Sequence, residues 1–215
     1  MRDEERNKEL QKKYSQERLD EESADKNPFV QFIKWYDEAV NCGIPDANAM
    51  IIATATKSGI PAVRTVLLKG YDERGFIFYT NYESDKGKDL EENPRASLLF
   101  LWKELARQIR ITGRVEKTAK EESEEYFRSR PRGHQLSAWA SKQSREIPNR
   151  EYLEKEFGRV EKEFEGKEIP LPPYWGGYRV IPEEFEYWQG RESRLHDRIC
   201  YTKTNKQWVI ARKSP

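Results

Sequence analysis

Residues 49–69 read AMIIATATKSGIPAVRTVLLK. Two segments rich in β-branched residues, Ala49 to Thr56 and Ala62 to Lys69, lie on either side of Lys57-Ser58-Gly59. Two such segments joined by a short turn with glycine predict an antiparallel β-hairpin. A hairpin alone cannot bury a core, so further strands are expected to pair with it.

Further strand-like segments follow the hairpin, separated by turn residues. They are Gly75 to Asn81, Ala96 to Trp102, Gln108 to Lys117, Gly177 to Ile181, Glu184 to Gln189, Arg194 to Thr202 and Trp208 to Arg212. Many short strands with turn signals favour an antiparallel barrel over a parallel α/β sheet. The predicted fold class is therefore mainly β with flanking helices, built as an antiparallel β-barrel.

Helical patterns flank these strands. Asn27-Pro28 is typical of an N-cap followed by proline in the first turn, and Gly43 is suited to end that helix. The other predicted helices are Ser84 to Glu92, Ala119 to Ser129, His134 to Ser141 and Asn149 to Phe164. Residues 1–26 are almost all polar and are predicted to form a mobile charged arm, followed by one domain over residues 27–215.

Composition excludes several classes of function. The chain has 215 residues with 39 Lys and Arg against 38 Asp and Glu, and this near balance argues against a nucleic-acid-binding field. The two cysteines, Cys42 and Cys200, and the two histidines do not form a metal-binding pattern. The sequence has no secretory signal and no apolar run long enough to span a membrane, so we expect a cytoplasmic protein.

The sequence Arg194-Leu195-His196-Asp197-Arg198 is the most unusual short motif. On a strand, Arg194, His196 and Arg198 would share one face, with Leu195 and Asp197 on the other. Such a face suits a bound anion, although a short motif of this kind is more often a solvated strand face.

Two more segments carry candidate anion-binding groups. Arg64 and Lys69 would lie on opposite faces of one strand, so they serve one ligand only through a bulge or at the strand end. Thr80, Ser84 and Lys86 surround a predicted helix start, which suits an anion but equally an ordinary N-cap at Ser84.

A third segment combines hydroxyl and guanidinium groups. Tyr126 and Arg130 are four residues apart, so on a helix they would share a face and clamp a phosphate, although a solvated helix end is the simpler alternative. Gln108 lies on a strand, where it is either exposed or available to a polar ring edge. No glycine-rich phosphate loop or catalytic triad stands out, so any chemistry would come from a bound cofactor.

Together these motifs resemble the pyridoxamine 5′-phosphate oxidase family. The similar segments, in family order, are Arg64-Thr65-Val66-Leu67-Leu68-Lys69, Phe78-Tyr79-Thr80-Asn81, Arg107-Gln108, Tyr126-Phe127, Ser129-Arg130-Pro131, Ser141-Lys142-Gln143-Ser144, Pro170-Leu171-Pro172, Trp175-Gly176-Gly177, Trp188-Gln189-Gly190 and Arg194 to Arg198. The resemblance covers roughly residues 27–215. It implies an FMN-binding split β-barrel that forms a homodimer with FMN at the subunit interface.

The resemblance also implies a reaction, namely oxidation of pyridoxamine and pyridoxine 5′-phosphates to pyridoxal 5′-phosphate, with O₂ reduced to H₂O₂. The residues implied for FMN are Arg64, Thr65, Val66, Leu67, Leu68, Lys69, Tyr79, Thr80, Lys86, Gln108, Gln143, Ser144, Trp188 and Arg198. Those implied for substrate are Lys69, Tyr126, Arg130, His134, Arg194 and His196, with Arg194 and His196 as the catalytic pair. Lys12, Lys13 and Tyr14 align loosely with an N-terminal substrate-binding segment.

The chain departs from the family pattern at a few positions. Asp85 stands where arginine is usual, His134 where serine is usual, Arg191 where glycine is usual, and Lys213 where leucine is usual. Two alternatives stay open: a related flavin oxidase of another aromatic substrate, of the phenazine type, and a non-catalytic carrier of FMN or pyridoxal phosphate.

Overall fold

The computed structural model describes Glu5, residues 18–205 and residues 207–215. Its strands are β1 (Ala49–Ala55), β2 (Pro61–Leu67), β3 (Gly70–Asp72), β4 (Gly75–Asn81), β5 (Arg95–Trp102), β6 (Arg107–Lys117), β7 (Trp175–Gln189), β8 (Asp197–Thr204) and β9 (Gln207–Arg212). Its α-helices are α1 (Pro28–Asn41), α2 (Asp85–Glu92), α3 (Lys120–Ser129), α4 (Arg132–Ala140) and α5 (Arg150–Glu163).

All nine described strands join one antiparallel sheet in the order β2-β1-β5-β6-β7-β4-β3, with β8 between β7 and β9. This curled sheet with flanking helices confirms the predicted fold class. The predicted hairpin is β1 and β2, paired from Ala49 opposite Leu67 to Ala55 opposite Pro61.

Strand β7 organises the sheet. It pairs with β6 along one side, while its first half pairs with β4 and its second half with β8 on the other side. The register against β6 shifts between Thr112 and Gly113, opposite Pro182. A bulge lets a strand bend and accommodates a proline that cannot donate to the ladder. The two separate strands predicted here are therefore one bent strand.

Helix α1 covers the core. The side chain of Asn27 accepts a hydrogen bond from the backbone N–H of Phe29 at 2.9 Å, as the N-cap prediction required. The ring of Phe32 is fully buried and packs edge-on against Phe76 and Phe100, with centroids 4.8 and 5.3 Å away. Aromatic pairs of this geometry add to the burial energy, so α1 is tied firmly to the sheet.

A second, smaller core lies beside the sheet. Helices α3, α4 and α5 bury Phe127, Leu136 and Val160 together with Trp175 at the start of β7. Tyr79 and Tyr126 pack on this cluster from outside. The cluster thereby fixes two aromatic side chains at the edge of the candidate site.

The described end of the N-terminal segment lies against the sheet. Leu19 and Ala24 are buried in the main core, and the backbone N–H of Leu19 donates to Asp197 at 3.3 Å. Lys12, Lys13 and Tyr14 lie outside the described residues. The extent of the arm and its boundary at residue 26 stay predictions. No helix in the described ranges is both long and apolar enough to cross a membrane.

Candidate active site

An open pocket of about 610 Å³ lies where the end of β2, strand β4, the start of α2 and the junction of α3 with α4 meet. Its walls are Arg64, Thr65, Val66, Leu67, Lys69, Tyr79, Thr80, Asp85, Lys86, Tyr126, Arg130, His134, Gln143, Ser144 and Trp175. Thirteen of these residues belong to the set implied for cofactor or substrate. Leu68 does not line the pocket, because its side chain is buried in the main core.

Lys86 forms the floor of one end of this pocket. Its Nζ lies 3.1 Å from Thr80 Oγ1, 3.2 Å from Ser84 Oγ and 3.0 Å from Gln143 Oε1, and the residue is only 9% exposed. Burial, followed by the positive charge of Arg64, lowers the pKa of Lys86. Two cations close together in a desolvated site favour an anionic ligand.

Arg64 is oriented by neighbours outside the pocket. Its Nη1 donates to Thr54 Oγ1 at 2.6 Å, and its Nη2 lies 3.8 Å from Asp89. Lys69 follows β2 beyond its last residue, so strict alternation no longer applies, and both cations line one pocket. Of the two arrangements that the sequence allows, a bulge or a position at the strand end, the structure shows Lys69 at the strand end.

The start of α2 contributes backbone donors. Ser84 caps the helix by accepting from the backbone N–H of Gly87, and Asp85 N–H donates to Ser144 Oγ at 3.3 Å. Asp85 itself turns outward, because its side chain is 69% exposed and lies 3.8 Å from Lys88. Its carboxylate therefore does not fill the pocket.

Arg130 dominates the other end of the pocket. Its guanidinium carbon lies 4.6 Å from the centre of the Trp175 ring, and burial lowers its pKa. Its Nη1 is buried without a hydrogen-bond partner in the described part of the chain. A buried donor without a partner is costly, so this atom marks a position for a ligand acceptor.

Three parallel rings lie beside Arg130. Tyr126 stacks on Tyr79 at 3.9 Å between centroids with a 12° interplanar angle, and Trp175 stacks on Tyr79 at 5.5 Å. Burial raises the pKa of Tyr79 to about 12, so its hydroxyl stays protonated at neutral pH. The stack gives the pocket a rigid aromatic wall.

The predicted helix face shared by Tyr126 and Arg130 is wrong. Helix α3 ends at Ser129, and Arg130 is extended, with φ −72° and ψ 147°. Pro131 disfavours the helical conformation of the residue before it, which explains this end. Both side chains still line the same pocket.

A second group of implied residues lies elsewhere on the sheet. Gln108, Trp188 and Arg198 are directly opposite one another on β6, β7 and β8. Directly opposite residues share a sheet face. His196 packs on Trp188, with ring centroids 4.6 Å apart, and its Nδ1 accepts from the backbone N–H of Arg191 at 3.0 Å.

The predicted strand face of Arg194, His196 and Arg198 is also wrong. Strand β8 begins at Asp197, and Glu192–Arg194 form a 3₁₀ turn. Ser193 and Arg194 have positive φ angles of 55° and 60°, which a strand does not allow. Only Arg198 of the three is on the strand.

The two groups lie at opposite ends of β7. Tyr79 pairs with Gly177 near the start of this 15-residue strand, whereas Trp188 lies next to its last residue. Gly177 and Trp188 are 11 positions apart along this strand, so they are separated by at most roughly 36 Å, at about 3.3 Å per residue. The pocket of one chain is therefore not completed by the Trp188 end of the same strand.

Sequence reasoning missed residues that hold the site in place. Trp175 belongs to the quoted Trp-Gly-Gly motif but was not assigned a site role. Thr54 and Asp89 orient Arg64, and Glu186 contacts Arg198 at 2.9 Å. Only the Trp175 motif carried a sequence signal, since the other contacts depend on strand pairing.

Family models match both halves of this arrangement. Residues 36–163 match the model of pyridoxamine 5′-phosphate oxidase, and residues 175–215 match that of the pyridoxine 5′-phosphate oxidase C-terminal dimerisation region. The first match contains most of the pocket, and the second contains β7, β8 and β9.

Similar proteins cover nearly the whole chain. A pyridoxine/pyridoxamine 5′-phosphate oxidase of Rubrobacter xylanophilus is 52% identical over 206 residues, which are 96% of this chain and 95% of the relative. A protein of the same name from Nostoc sp. is 53% identical over 207 residues, with 96% and 97% covered.

Solved structures share the fold. PhzG from Burkholderia lata 383, in complex with tetrahydrophenazine-1-carboxylic acid, superposes with a TM-score of 0.87 at 30% identity over 94% of this chain and 100% of that one. An FMN binding protein related to pyridoxamine 5′-phosphate oxidase, from Nostoc punctiforme, has a TM-score of 0.69 at 17% identity over 88% and 98% of the two chains. The latter likeness concerns the fold alone.

The donors of the pocket fit FMN, the cofactor that the family supports. Lys86, Arg64 and Thr80 suit a phosphate ester at one end, while the Nη1 of Arg130, which has no partner within the described ranges, suits a second anion at the other. Both segments match models of this family, and about half of the aligned positions are identical in the curated relatives. These matches agree with a pocket that binds FMN. The chain belongs to the pyridoxine/pyridoxamine 5′-phosphate oxidase family of enzymes.

Proposed function

We propose that the protein oxidises pyridoxamine 5′-phosphate and pyridoxine 5′-phosphate to pyridoxal 5′-phosphate. In the amine reaction, substrate, O₂ and water give pyridoxal 5′-phosphate, H₂O₂ and ammonia. In the alcohol reaction, substrate and O₂ give pyridoxal 5′-phosphate and H₂O₂. Bound FMN would supply the hydride acceptor and pass two electrons to O₂.

One observation carries this proposal: a single pocket has two separate cationic ends. Arg64 and Lys86 form one end, and Arg130 forms the other, where its buried Nη1 has no partner among residues 18–205 and 207–215. A phosphorylated cofactor and a phosphorylated substrate together need two such ends. Lys69 lines the same pocket and would contact both ligands.

The chain's own residues would mainly bind and orient. Tyr126 and Arg130 would hold the substrate phosphate, and His134 would add a donor beside them. Arg194 and His196 would flank the substrate ring against the cofactor, with Trp188, Gln108 and Arg198 at the cofactor ring. Hydride transfer depends on such alignment more than on a strong base.

We further propose that two copies of the chain complete each site. The sheet face formed by β1, β2 and β5 is apolar and exposed in the part of the chain that the structure describes: Ile51, Val63, Leu67 and Leu101 are 37%, 68%, 41% and 48% exposed. Leu101 lies directly opposite Gln108, so this face continues into the Gln108–Trp188–Arg198 row. Covering it with a second copy would bring that row to the partner's pocket.

The PhzG likeness favours one competing function, oxidation of an aromatic substrate without phosphate. Identity of 30% to PhzG against 52% to the curated Rubrobacter xylanophilus relative argues for the phosphorylated substrate. Arg130 does not separate the two substrates, because the carboxylate of tetrahydrophenazine-1-carboxylic acid would also pair with its buried Nη1. A carrier that binds FMN without turnover is the third possibility, and a cytoplasmic location stays a prediction.

One anaerobic titration separates these functions. Pyridoxamine 5′-phosphate is added to the FMN-loaded protein, and flavin absorbance near 450 nm is followed before and after air is admitted. We expect bleaching and then full recovery in air. Tight binding without bleaching would indicate a carrier, and bleaching only by tetrahydrophenazine-1-carboxylic acid would indicate the competing oxidase.

A further inference from the structure

Two adjacent rows of side chains lie on the outer sheet face near the end of β7. The first is the Gln108–Trp188–Arg198 row. The second row joins Arg110 on β6, Glu186 on β7 and Cys200 on β8, which are directly opposite one another. Residues two apart on a strand share a face. The side chains of the second row therefore lie beside those of the first row on the same face of the sheet.

Glu186 is a buried carboxylate in this second row. Its side chain is 6% exposed, although the strand face on which it lies points away from the main core. Charged side chains are rarely buried unless they are paired. The burial of Glu186 is therefore informative about its partners.

Two guanidinium groups and one thiol contact Glu186, and the thiol of Cys200 donates weakly to Oε2 with its Sγ 3.7 Å away. Arg198 donates through Nε to Oε1 at 3.2 Å and through Nη2 to Oε2 at 2.9 Å, a two-pronged contact that fixes the guanidinium plane. Arg110 donates to Oε2 at 2.7 Å from the other side. The remaining Nη1 of Arg198 donates to the backbone oxygen of Ser214 at 2.6 Å.

The surrounding charges favour the ionised form of the Glu186 carboxylate. Burial alone raises the pKa of Glu186, but the hydrogen bond from Arg198 and the charges of Arg110, Arg198 and Lys213 lower it below its usual value. Lys213, where leucine is usual in the family, thus adds a cation to the group that holds Glu186.

We infer that Glu186 is a positioning residue, which holds the Arg198 guanidinium beside Trp188 in the orientation that the cofactor contacts. This inference rests on the proposed function, in which the Gln108–Trp188–Arg198 row faces FMN. Glu186 touches neither cofactor nor substrate in this account and acts only through Arg198.

A double-mutant cycle on FMN affinity tests the inference. Apoprotein of the wild type, Glu186→Gln, Arg198→Ala and the double variant is titrated with FMN, and quenching of flavin fluorescence gives each dissociation constant. We expect Glu186→Gln to weaken FMN binding about tenfold in the wild-type background, as for loss of one charge-assisted contact. In the Arg198→Ala background the same change should have no more than about a twofold effect, because coupled residues are not additive.

Matched controls separate positioning from folding and assembly. Glu184→Gln changes an exposed carboxylate two residues earlier on the same face of β7 and should leave FMN affinity unchanged. Size-exclusion chromatography and thermal unfolding of each apoprotein report assembly and stability. If Glu186→Gln does not fold, the same cycle uses Glu186→Asp, whose shorter carboxylate should show a smaller loss of the same non-additive kind.

Three results would each overturn the positioning role of Glu186. They are wild-type FMN affinity in Glu186→Gln, an equal loss of FMN affinity in both backgrounds, and a loss of FMN affinity that accompanies dissociation into monomers. Wild-type affinity in Arg198→Ala would overturn it as well, together with the assignment of Arg198 to the cofactor. The proposed reaction is tested separately, because Glu186→Gln loaded with saturating FMN should still bleach anaerobically with pyridoxamine 5′-phosphate.

Discussion

The guanidinium carbon of Arg130 lies 4.6 Å from the centre of the Trp175 indole ring, and Arg130 Nη1 is buried without a partner among the described residues. A cation on an aromatic face is stabilised and also held in one plane. Trp175 therefore presents Arg130 to the pocket, and the partnerless N–H marks the position of the substrate phosphate in the proposed complex.

Replacing Trp175 should weaken substrate binding more than cofactor binding. For Trp175→Leu we expect the KM for pyridoxamine 5′-phosphate to rise about tenfold, within the range of a desolvated cation–π contact of ~0.5–2 kcal/mol. Trp175→Phe keeps an aromatic face and should raise KM less. Steady-state kinetics at saturating FMN measure both, and an equal KM for wild type and Trp175→Leu would contradict this role.

Asp85→Arg should tighten FMN binding modestly. Asp85 borders the pocket but is 69% exposed and pairs with Lys88, so its charge is largely screened. A gain of about threefold in FMN affinity is expected, in keeping with the ~0–1 kcal/mol typical of surface charge pairs. Asp85→Asn only removes the charge and should show a smaller gain in FMN affinity. An unchanged or weaker FMN affinity for Asp85→Arg in a fluorescence titration would count against the prediction.

Lys86 should limit FMN affinity at alkaline pH. Burial lowers the pKa of Lys86, so its charge is lost as pH rises through a value below the usual 10.5. FMN affinity should fall over that range in the wild type and less in Lys86→Arg, which stays charged. Ionisation of the flavin is common to both proteins, so the difference between their titration curves isolates Lys86. If FMN affinity falls equally at alkaline pH in the wild type and in Lys86→Arg, then Lys86 does not control FMN binding in this range.

The same shift has a consequence for the stability of the apoprotein. With its pKa lowered by folding, Lys86 binds a proton more readily when unfolded, so stability should rise with pH between the folded and unfolded pKa values. Lys86→Met should abolish this rise. Chemical unfolding of apoprotein at several pH values between about 8 and 10.5 measures it, and a rise of the same size in the variant would assign it to another group.

Local sequence signals predicted most of the sheet. The hairpin at residues 49–67, strand β4, and the caps at Asn27 and Ser84 follow from composition, turn residues and capping chemistry within a few residues of chain. The pocket residues were predicted from the order of several motifs along the chain, which resembles that of the family. No single motif spacing predicted them.

The predictions that were wrong or missing concern features that tertiary contacts determine. Alternation placed Arg194 on a strand, but the 3₁₀ turn and the positive φ angles at Ser193 and Arg194 are set by contacts of the loop. The three-residue strand β3 is too short to give a periodic signal. Glu186 resembles an exposed strand carboxylate until β6 and β8 bring Arg110 and Arg198 against it.

In the proposed dimer each site combines the pocket of one copy with the Gln108–Trp188–Arg198 row of the other, and subunit complementation tests this arrangement. Arg130→Leu removes one half and Arg198→Ala the other, and co-expression of the two inactive chains gives mixed dimers. One of the two sites in each mixed dimer is then intact. We predict pyridoxal 5′-phosphate formation at about 25% of the wild-type rate, from statistical pairing in a two-fold dimer. A mixture of two pocket variants should recover nothing. Activity of the Arg130→Leu and Arg198→Ala mixture no higher than that of either variant alone would contradict the account.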